Sequence, residues 1–183
     1  KIIQKNKNNF EIEFKKKIYN FQNPKLFGNH QIENVSTAIT SILELKKIGY
    51  NFTKKNINKE IIKTKWPGRL ERGKLNKINV YLDGAHNIDG AEQILKFFKS
   101  KNKKIWLIFG MLNNKDLDGF LKKIKPIIKG VIAIPIHNEK NCFSSNQIYY
   151  ACKKLNIICY EKKSINVANN FLIKKINPKT ILI

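Results

Sequence analysis

From residue 78 onward, short apolar runs alternate with helical patterns, and this alternation constrains the fold more than any other feature. Each run is rich in Ile and Val, and the stretches between them repeat apolar positions at helical spacing. Such a series predicts an α/β fold with a mostly parallel sheet, covered on both faces and joined by right-handed crossovers. The predicted strands are Ile78–Leu82, Ile105–Phe109, Val131–Ile136, Ile157–Tyr160 and Thr180–Ile183; the predicted helices are Ala91–Lys99, Leu117–Ile128, Asn146–Leu155 and Ile165–Ile176.

The first part of the chain has a different rhythm. Phe10, Ile12 and Phe14 alternate with charged residues, which is typical of a half-buried strand. Apolar positions at helical spacing follow in two segments, residues 35–45 and 57–62, the second with Thr53 as a plausible N-cap. Regular structure ends at Trp66–Gly68 because Pro and Gly stop it. We therefore expect two domains, residues 1–65 and 66–183.

The charge is unusual: 36 Lys and Arg stand against 13 Asp and Glu, a formal net charge of +23. Such a charge raises nucleic acid as a partner. Only Arg69 and Arg72 are arginines, however, and the lysines are spread along the whole chain rather than clustered on one element. Lys, Asn and Ile are all in excess and share adenine- and thymine-rich codons. We therefore favour a solvated lysine coat and do not expect nucleic acid as a partner.

Several classes of protein are excluded. The best apolar run, residues 127–136, is interrupted by Lys129 and Pro135 and is far shorter than the ~18 residues of a membrane span. The N-terminus has no secretory signal and no initiating Met, so we expect a fragment of a longer protein. Three cysteines without a C-x-x-C pair favour neither a disulfide framework nor a zinc site, and a reducing cytoplasm is the expected location.

Gly68–Lys74 matches the G-x-x-x-x-G-K part of a phosphate-binding loop. Leu75 follows where a Ser or Thr hydroxyl would hold magnesium, and the segment precedes a predicted strand instead of following one and opening a helix. We conclude that it is not a phosphate loop.

Asp83–Asn87 reads Asp-Gly-Ala-His-Asn and directly follows a predicted strand. Ligands of parallel sheets bind beyond the carboxyl ends of the strands, so this turn and Gly110–Asp116 lie where a ligand is expected. Asp83 is able to accept hydrogen bonds from ribose hydroxyls and His86 to donate to a phosphate. A turn that caps the next helix through Asn87 or Asp89 explains the same residues, and both interpretations stay open.

Taken in order, four motifs resemble the second half of the dihydrofolate synthase/folylpolyglutamate synthase family of the Mur ligase superfamily. The motifs are Leu26–Asn34, Trp66–Glu71, Leu82–Asn87, and Phe109–Met111 with Asn114–Asp116. The resemblance implies a Rossmann-like C-terminal domain over residues 66–183. Residues 1–65 would then be the tail of the family's central ATPase domain.

The resemblance also implies an ATP-dependent amide ligase. Such an enzyme phosphorylates the carboxylate of dihydropteroate or a folate, and the amino group of L-glutamate then attacks the acyl phosphate. The family's phosphate loop, Mg²⁺ ligands and most of its pterin pocket belong to an N-terminal part that these residues do not include. We therefore expect this chain to be inactive alone and, by analogy, the intact enzyme to be a cytoplasmic monomer.

By the same resemblance, four residues would bind ATP, which the family holds between its two domains. Asn34 would contact the adenine, Arg69 the phosphates, and Asp83 the ribose, with His86 supporting the same site. Arg69 and His86 are the catalytic candidates, since a guanidinium suits the charge that develops in phosphoryl transfer. Ile88 departs from the family, which usually has Pro after Asn87.

Three alternatives remain. In the first, the chain is a basic nucleic-acid-binding module on a ligase-derived scaffold. In the second, it is a degenerate ligase domain with a structural role, and in the third it is part of a sister Mur ligase that acts on cell-wall precursors. The residues of the Trp66–Glu71 and Leu82–Asn87 motifs favour the folate branch of the superfamily. The choice between dihydropteroate and folate as the acceptor of glutamate depends on the absent pterin pocket.

Overall fold

The chain folds into two compact units. A computed structural model describes residues 1–6, 8–26, 28, 30–176 and 178–183, and these divide into Lys1–Trp66 and Pro67–Ile183. That the first unit belongs to an ATPase domain stays a prediction. Among the described residues, no helix is long and apolar enough to cross a membrane.

The first unit combines a small antiparallel sheet with two helices. Its strands are β1 (Ile2–Lys5), β2 (Asn9–Phe14) and β3 (Lys17–Gln22), in that order across the sheet, and its helices are α1 (His30–Leu45) and α2 (Lys54–Lys63). Phe10 of β2 lies opposite Phe21 of β3 and both are buried, together with Ile39 of α1. Thr53 caps α2 by accepting a hydrogen bond from the amide of Asn56, as the sequence predicts.

The second unit is built on a six-stranded sheet with the order β4-β5-β9-β6-β7-β8. All neighbouring strands are parallel except β4, which pairs with β5 in an antiparallel hairpin. This topology confirms the α/β fold with a mostly parallel sheet. The elements are β4 (Glu71–Leu75), β5 (Ile78–Leu82), α3 (Ile88–Lys99), β6 (Ile105–Phe109), α4 (Leu117–Ile124), β7 (Ile128–Ala133), α5 (Ser145–Lys154), β8 (Cys159–Glu161), α6 (Ile165–Phe171, continued by a π-helical turn Leu172–Ile176) and β9 (Thr180–Leu182).

Helices cover both faces of this sheet. Trp106 and Ile108 of β6 join a buried cluster with Leu172, at the end of α6. Successive side chains of a strand point to opposite faces, and on the other face Phe109 packs against Phe120 of α4, with ring centroids 5.1 Å apart. The five residues of β6 are all buried, which explains its unbroken apolar sequence.

The predicted bounds are wrong around β7. The strand runs from Ile128 to Ala133 rather than from Val131 to Ile136, and α4 ends at Ile124 rather than at Ile128. Pro126 cannot donate the backbone hydrogen bond that would continue α4, so a 3₁₀ turn follows instead. Pro135 is equally unsuited to a strand interior, and the chain leaves the sheet before reaching it.

Candidate functional site

A cleft of about 690 Å³ opens beyond the carboxyl ends of the parallel strands. Asp83 and Ala85 line it after β5, Gly110 after β6, residues 134–138 after β7 and residues 163–166 at the start of α6. The edge is where ligands of open α/β sheets bind, and the size suits a small-molecule ligand. The Asp83 turn and Gly110, singled out from the sequence, both lie here.

The carboxylate of Asp83 joins two loops of this edge. Its Oδ2 accepts a hydrogen bond of 2.7 Å from the amide of Leu70, and its Oδ1 accepts one of 2.9 Å from the amide of Ala85. The Asp83 amide in turn donates to the carbonyl of Ile183, beyond β9. Hydrogen bonds to an ionised acceptor are the stronger kind. Asp83 therefore fixes the loop that precedes β4 against the turn that follows β5.

The loop before β4 holds Arg69 between two residues with left-handed backbone, Gly68 at φ +69° and Leu70 at φ +47°. The Leu70 side chain is buried, and the carbonyl of Gly68 accepts a 2.8 Å hydrogen bond from the amide of Gly84. Arg69 itself is exposed and forms no hydrogen bond or ion pair with any residue that the structure describes. Its backbone is thus fixed while its guanidinium is available to an anionic ligand.

His86 lies at the end of the same turn and is exposed. Its Nδ1 is 2.9 Å from the carbonyl oxygen of Gly84. Because a carbonyl only accepts, Nδ1 carries the hydrogen in this contact. Nε2 has no hydrogen-bond partner among the described residues, and neither His86 nor Arg69 is among the residues that line the cleft. Of the two caps that the sequence allows, Asn87 and Asp89, the structure shows Asn87, whose Oδ1 accepts from the amide of Gly90. Ile88 therefore begins a normally capped helix without the Pro usual in the family.

Asn34, the fourth candidate, belongs to the first unit. It is exposed in the second turn of α1, and its Nδ2 donates to Gln31 Oε1 at 3.3 Å. Gln31 is buried and its Nε2 lies 2.9 Å from His30 Nε2, while the buried Nδ1 of His30 has no hydrogen-bond partner among the described residues. His30, the first residue of α1, therefore belongs to this polar cluster. Phe27 and Asn29 of the same motif lie outside the described residues.

No group of three or more His, Cys, Asp or Glu in the described ranges is arranged to hold a metal ion. The three cysteines are free thiols. Contact with the Cys159 thiol and burial both raise the pKa of Cys152, so this thiol is not a nucleophile near neutral pH. Neither a metal centre nor a cysteine nucleophile is therefore assigned to the described residues.

Part of the cleft was not predicted from the sequence. Residues 134–136 were predicted as strand, but they line the cleft because β7 ends early. His137 is exposed and lies on the cleft wall with Lys163. A polar residue directly after a predicted strand was the available signal, and it applied to His137 as much as to Asp83.

The second unit matches a known protein family. Residues 68–181 match the family model described as Mur ligase, glutamate ligase domain. This match covers more than half of the chain, and the chain belongs to the Mur ligase family. The resemblance stated from the motifs is confirmed at this level.

Curated relatives come from two branches of the family. The dihydrofolate synthase/folylpolyglutamate synthase of Bacillus subtilis is 29% identical over 125 residues, which are 67% of this chain and 29% of that protein. The UDP-N-acetylmuramoyl-L-alanyl-D-glutamate–2,6-diaminopimelate ligase of Buchnera aphidicola is 35% identical over 63% of this chain and 23% of that protein. The matched segment spans under a third of either relative.

Solved structures show the same fold over nearly the whole chain. FolC of E. coli, in complex with DHPP and ADP, has a TM-score of 0.77 at 18% identity and covers 98% of this chain and 41% of that chain. A bifunctional folylpolyglutamate synthase/dihydrofolate synthase with Mn, AMPPNP and L-glutamate bound has a TM-score of 0.76 at 15% identity, covering 99% and 41%.

Proposed function

We propose that this chain forms the C-terminal part of an ATP-dependent ligase that joins L-glutamate to dihydropteroate, to a reduced folate, or to both. The observation that carries the proposal is the pair of hydrogen bonds by which Asp83 fixes the loop of Arg69 at the ligand-binding edge of the sheet. The Arg69 side chain is exposed and has no hydrogen-bond or ion-pair partner among the described residues. Membership in the Mur ligase family and the names of the folate-branch relatives support it.

The reaction proceeds in two displacements. A carboxylate oxygen of the pterin substrate attacks the γ-phosphorus of ATP, forming an acyl phosphate and releasing ADP. The amino group of glutamate then attacks the acyl carbon, loses a proton, and expels inorganic phosphate as the amide bond forms. Catalysis of phosphoryl transfer rests mainly on positioning and on stabilisation of negative charge.

Arg69 supplies that stabilisation in the proposal. A guanidinium keeps its charge at any physiological pH and offers several N–H donors to phosphate oxygens. Since its backbone is fixed between Gly68 and Leu70, only the side chain must be ordered when ATP binds, which limits the entropic cost.

Asp83 has a double role in the proposal. Each of its oxygens accepts one backbone hydrogen bond and keeps a second acceptor position, so a ribose hydroxyl is able to donate to it without breaking the link to Leu70. The Nε2 of His86 is then available to the same ligand. Asn34 is the residue that we propose for the adenine.

Magnesium is part of the proposed reaction as the ion that accompanies ATP. The described residues offer no cluster of ligands for it, and we derive no step through it from this chain. We expect its ligands, like the phosphate loop, in sequence outside residues 1–183, and the chain alone to be inactive.

The test of the proposed function is a substrate comparison with the natural polypeptide that carries this sequence. Release of phosphate from ATP is measured with L-glutamate and, in turn, dihydropteroate, tetrahydrofolate and UDP-N-acetylmuramoyl-L-alanyl-D-glutamate. We expect turnover with one or both pterins and none with the cell-wall precursor. Turnover with the cell-wall precursor and diaminopimelate or lysine in place of glutamate would assign the protein to the other branch.

A further inference from the structure

The second unit separates its charges between the two edges of its sheet. Strands β5 to β9 are parallel, and α3 to α6 run back between them, so the strands begin and the helices end at one edge, which we call the amino edge. The starts of the central strands are level, since Asn79 pairs with Thr180 and Trp106 pairs with both Ile181 and Gly130. The cleft and Asp83 lie at the opposite edge.

A lysine marks the start of each of four neighbouring strands. Lys77, Lys179 and Lys104 directly precede β5, β9 and β6, and Lys129 is the second residue of β7; all four are exposed. Neighbouring strands lie about 4.8 Å apart, so these four positions form a row about 14 Å long. The last turns of α3, α4 and α5, and the π-helical turn after α6, contribute two more lysines each.

Carboxylates are almost absent from the amino edge. Within the part of the second unit that the structure describes, only Glu92 reaches lysines there, at 3.6 Å from Lys96 and 3.1 Å from Lys123. Every other carboxylate in that part lies at or beyond the carboxyl ends of the strands, or in the first turn of α3 or α4. The fold therefore places most lysines of the second unit at one edge of the sheet, although they are spread evenly along the sequence.

Helix dipoles explain only part of this separation. A cation is favourable at the end of a helix and an anion at its beginning, which accounts for the lysines in the last turns. Lys77 lies in the β4–β5 hairpin and Lys129 lies within a strand, so no helix end accounts for either. The row at the strand starts requires a different explanation.

We propose that the amino edge binds the phosphate backbone of a nucleic acid without sequence preference. Lysines act as point charges toward phosphates, and nucleic acids carry the dense, regular negative charge that such a row neutralises with release of counterions. A membrane surface fits less well because peripheral binding usually inserts a sizeable apolar face. Of the exposed large apolar side chains described in this unit, only Ile158 lies at this edge.

The test uses the 183-residue chain and a fluorescent single-stranded RNA, with affinity measured between about 50 and 200 mM salt. The edge variant carries Lys77→Gln, Lys104→Gln, Lys129→Gln and Lys179→Gln. A matched control removes the same charge from exposed lysines of the first unit through Lys54→Gln, Lys55→Gln, Lys59→Gln and Lys65→Gln. Circular dichroism confirms that both variants are folded.

We expect the edge variant to lose at least tenfold in affinity and to flatten the salt slope by about 2 to 3, since each lost contact to a single strand removes about 0.7. The control should change affinity no more than threefold. Equal losses of RNA affinity in the two variants would show that any exposed lysines bind RNA equally well, and would overturn the proposal. So would absence of RNA binding at the lowest salt, or binding only to vesicles that contain phosphatidylserine.

Discussion

The amide of Leu70 donates a 2.7 Å hydrogen bond to Asp83 Oδ2, across a separation of 13 residues. The two residues belong to loops at the same edge of the sheet, one before β4 and one after β5. Leu70 follows Arg69, so the position of the Arg69 backbone depends on the carboxylate of Asp83. Asp83, which we propose binds the ribose of ATP, therefore also orders the loop of Arg69, which we propose binds the phosphates.

Asp83→Asn is expected to reduce both stability and nucleotide binding. An amide has one acceptor oxygen, so one of the two backbone N–H groups of Leu70 and Ala85 loses its partner. A lost hydrogen bond to a charged group costs about 1.5–3 kcal/mol, which urea unfolding of the chain will measure. Asp118→Asn, with the same charge change in the first turn of α4, is the control and should cost under about 1 kcal/mol.

Arg69→Ala is expected to impair turnover without reducing stability. Its side chain is exposed and has no hydrogen-bond or ion-pair partner among the described residues, whereas loss of a group that stabilises developing charge costs on the order of 100-fold in kcat. The control is Arg72→Ala, which removes an equal charge from β4, where the guanidinium lies 5.8 Å from the centre of the Tyr81 ring. kcat is measured with the natural polypeptide that carries this sequence. Equal loss of kcat in the two variants would contradict the role given to Arg69.

Asn87→Ala is expected to destabilise the second unit by about 1 kcal/mol, because the amide of Gly90 loses its cap. Asn87→Asp keeps the acceptor and adds a charge that the helix N-terminus favours, so it should retain the stability of the original chain. Thermal unfolding of both variants checks this. If the alanine variant unfolds at the same temperature as the original chain, the cap contributes nothing to stability.

Glu92→Gln is expected to lower the melting temperature at neutral pH. The hydrogen bond from Lys123 holds the pKa of Glu92 below its ordinary value, so the ionised form is bound more favourably in the folded chain. Stability from such a group is present above the unfolded pKa and is lost as pH falls through the folded pKa. The difference between variant and original should therefore shrink well below about pH 4 and with added salt, in melting curves recorded across pH.

The sequence predicted the parts of the fold that local patterns determine. The bounds of β5 and β6 agree with the structure because unbroken apolar runs mark buried strands. Strand β4 escaped prediction because four of its five residues are exposed and pairing with β5 defines it. That pairing also explains why Gly68–Lys74 is no phosphate loop, since its second half is a strand and opens no helix.

The candidate site was predictable as a set of residues but not as an arrangement. The motifs singled out Arg69, Asp83 and His86, and the loops of all three lie at one edge of the second unit. The Leu70–Asp83 hydrogen bond joins distant loops and leaves no local sequence signal. The charge separation between the two edges was equally hidden, because it arises from the direction of each strand and helix rather than from clustering along the chain.

The proposed acyl phosphate is tested by following an oxygen atom of the substrate carboxylate through the reaction. The natural polypeptide that carries this sequence is given ATP, L-glutamate and dihydropteroate or tetrahydrofolate labelled with ¹⁸O in the carboxylate that receives glutamate. If an acyl phosphate forms, one labelled oxygen leaves with each phosphate as the amide bond forms. We therefore expect one ¹⁸O atom in each phosphate released. Amide formation with unlabelled phosphate, or no glutamate-dependent release of phosphate with either pterin, would contradict it.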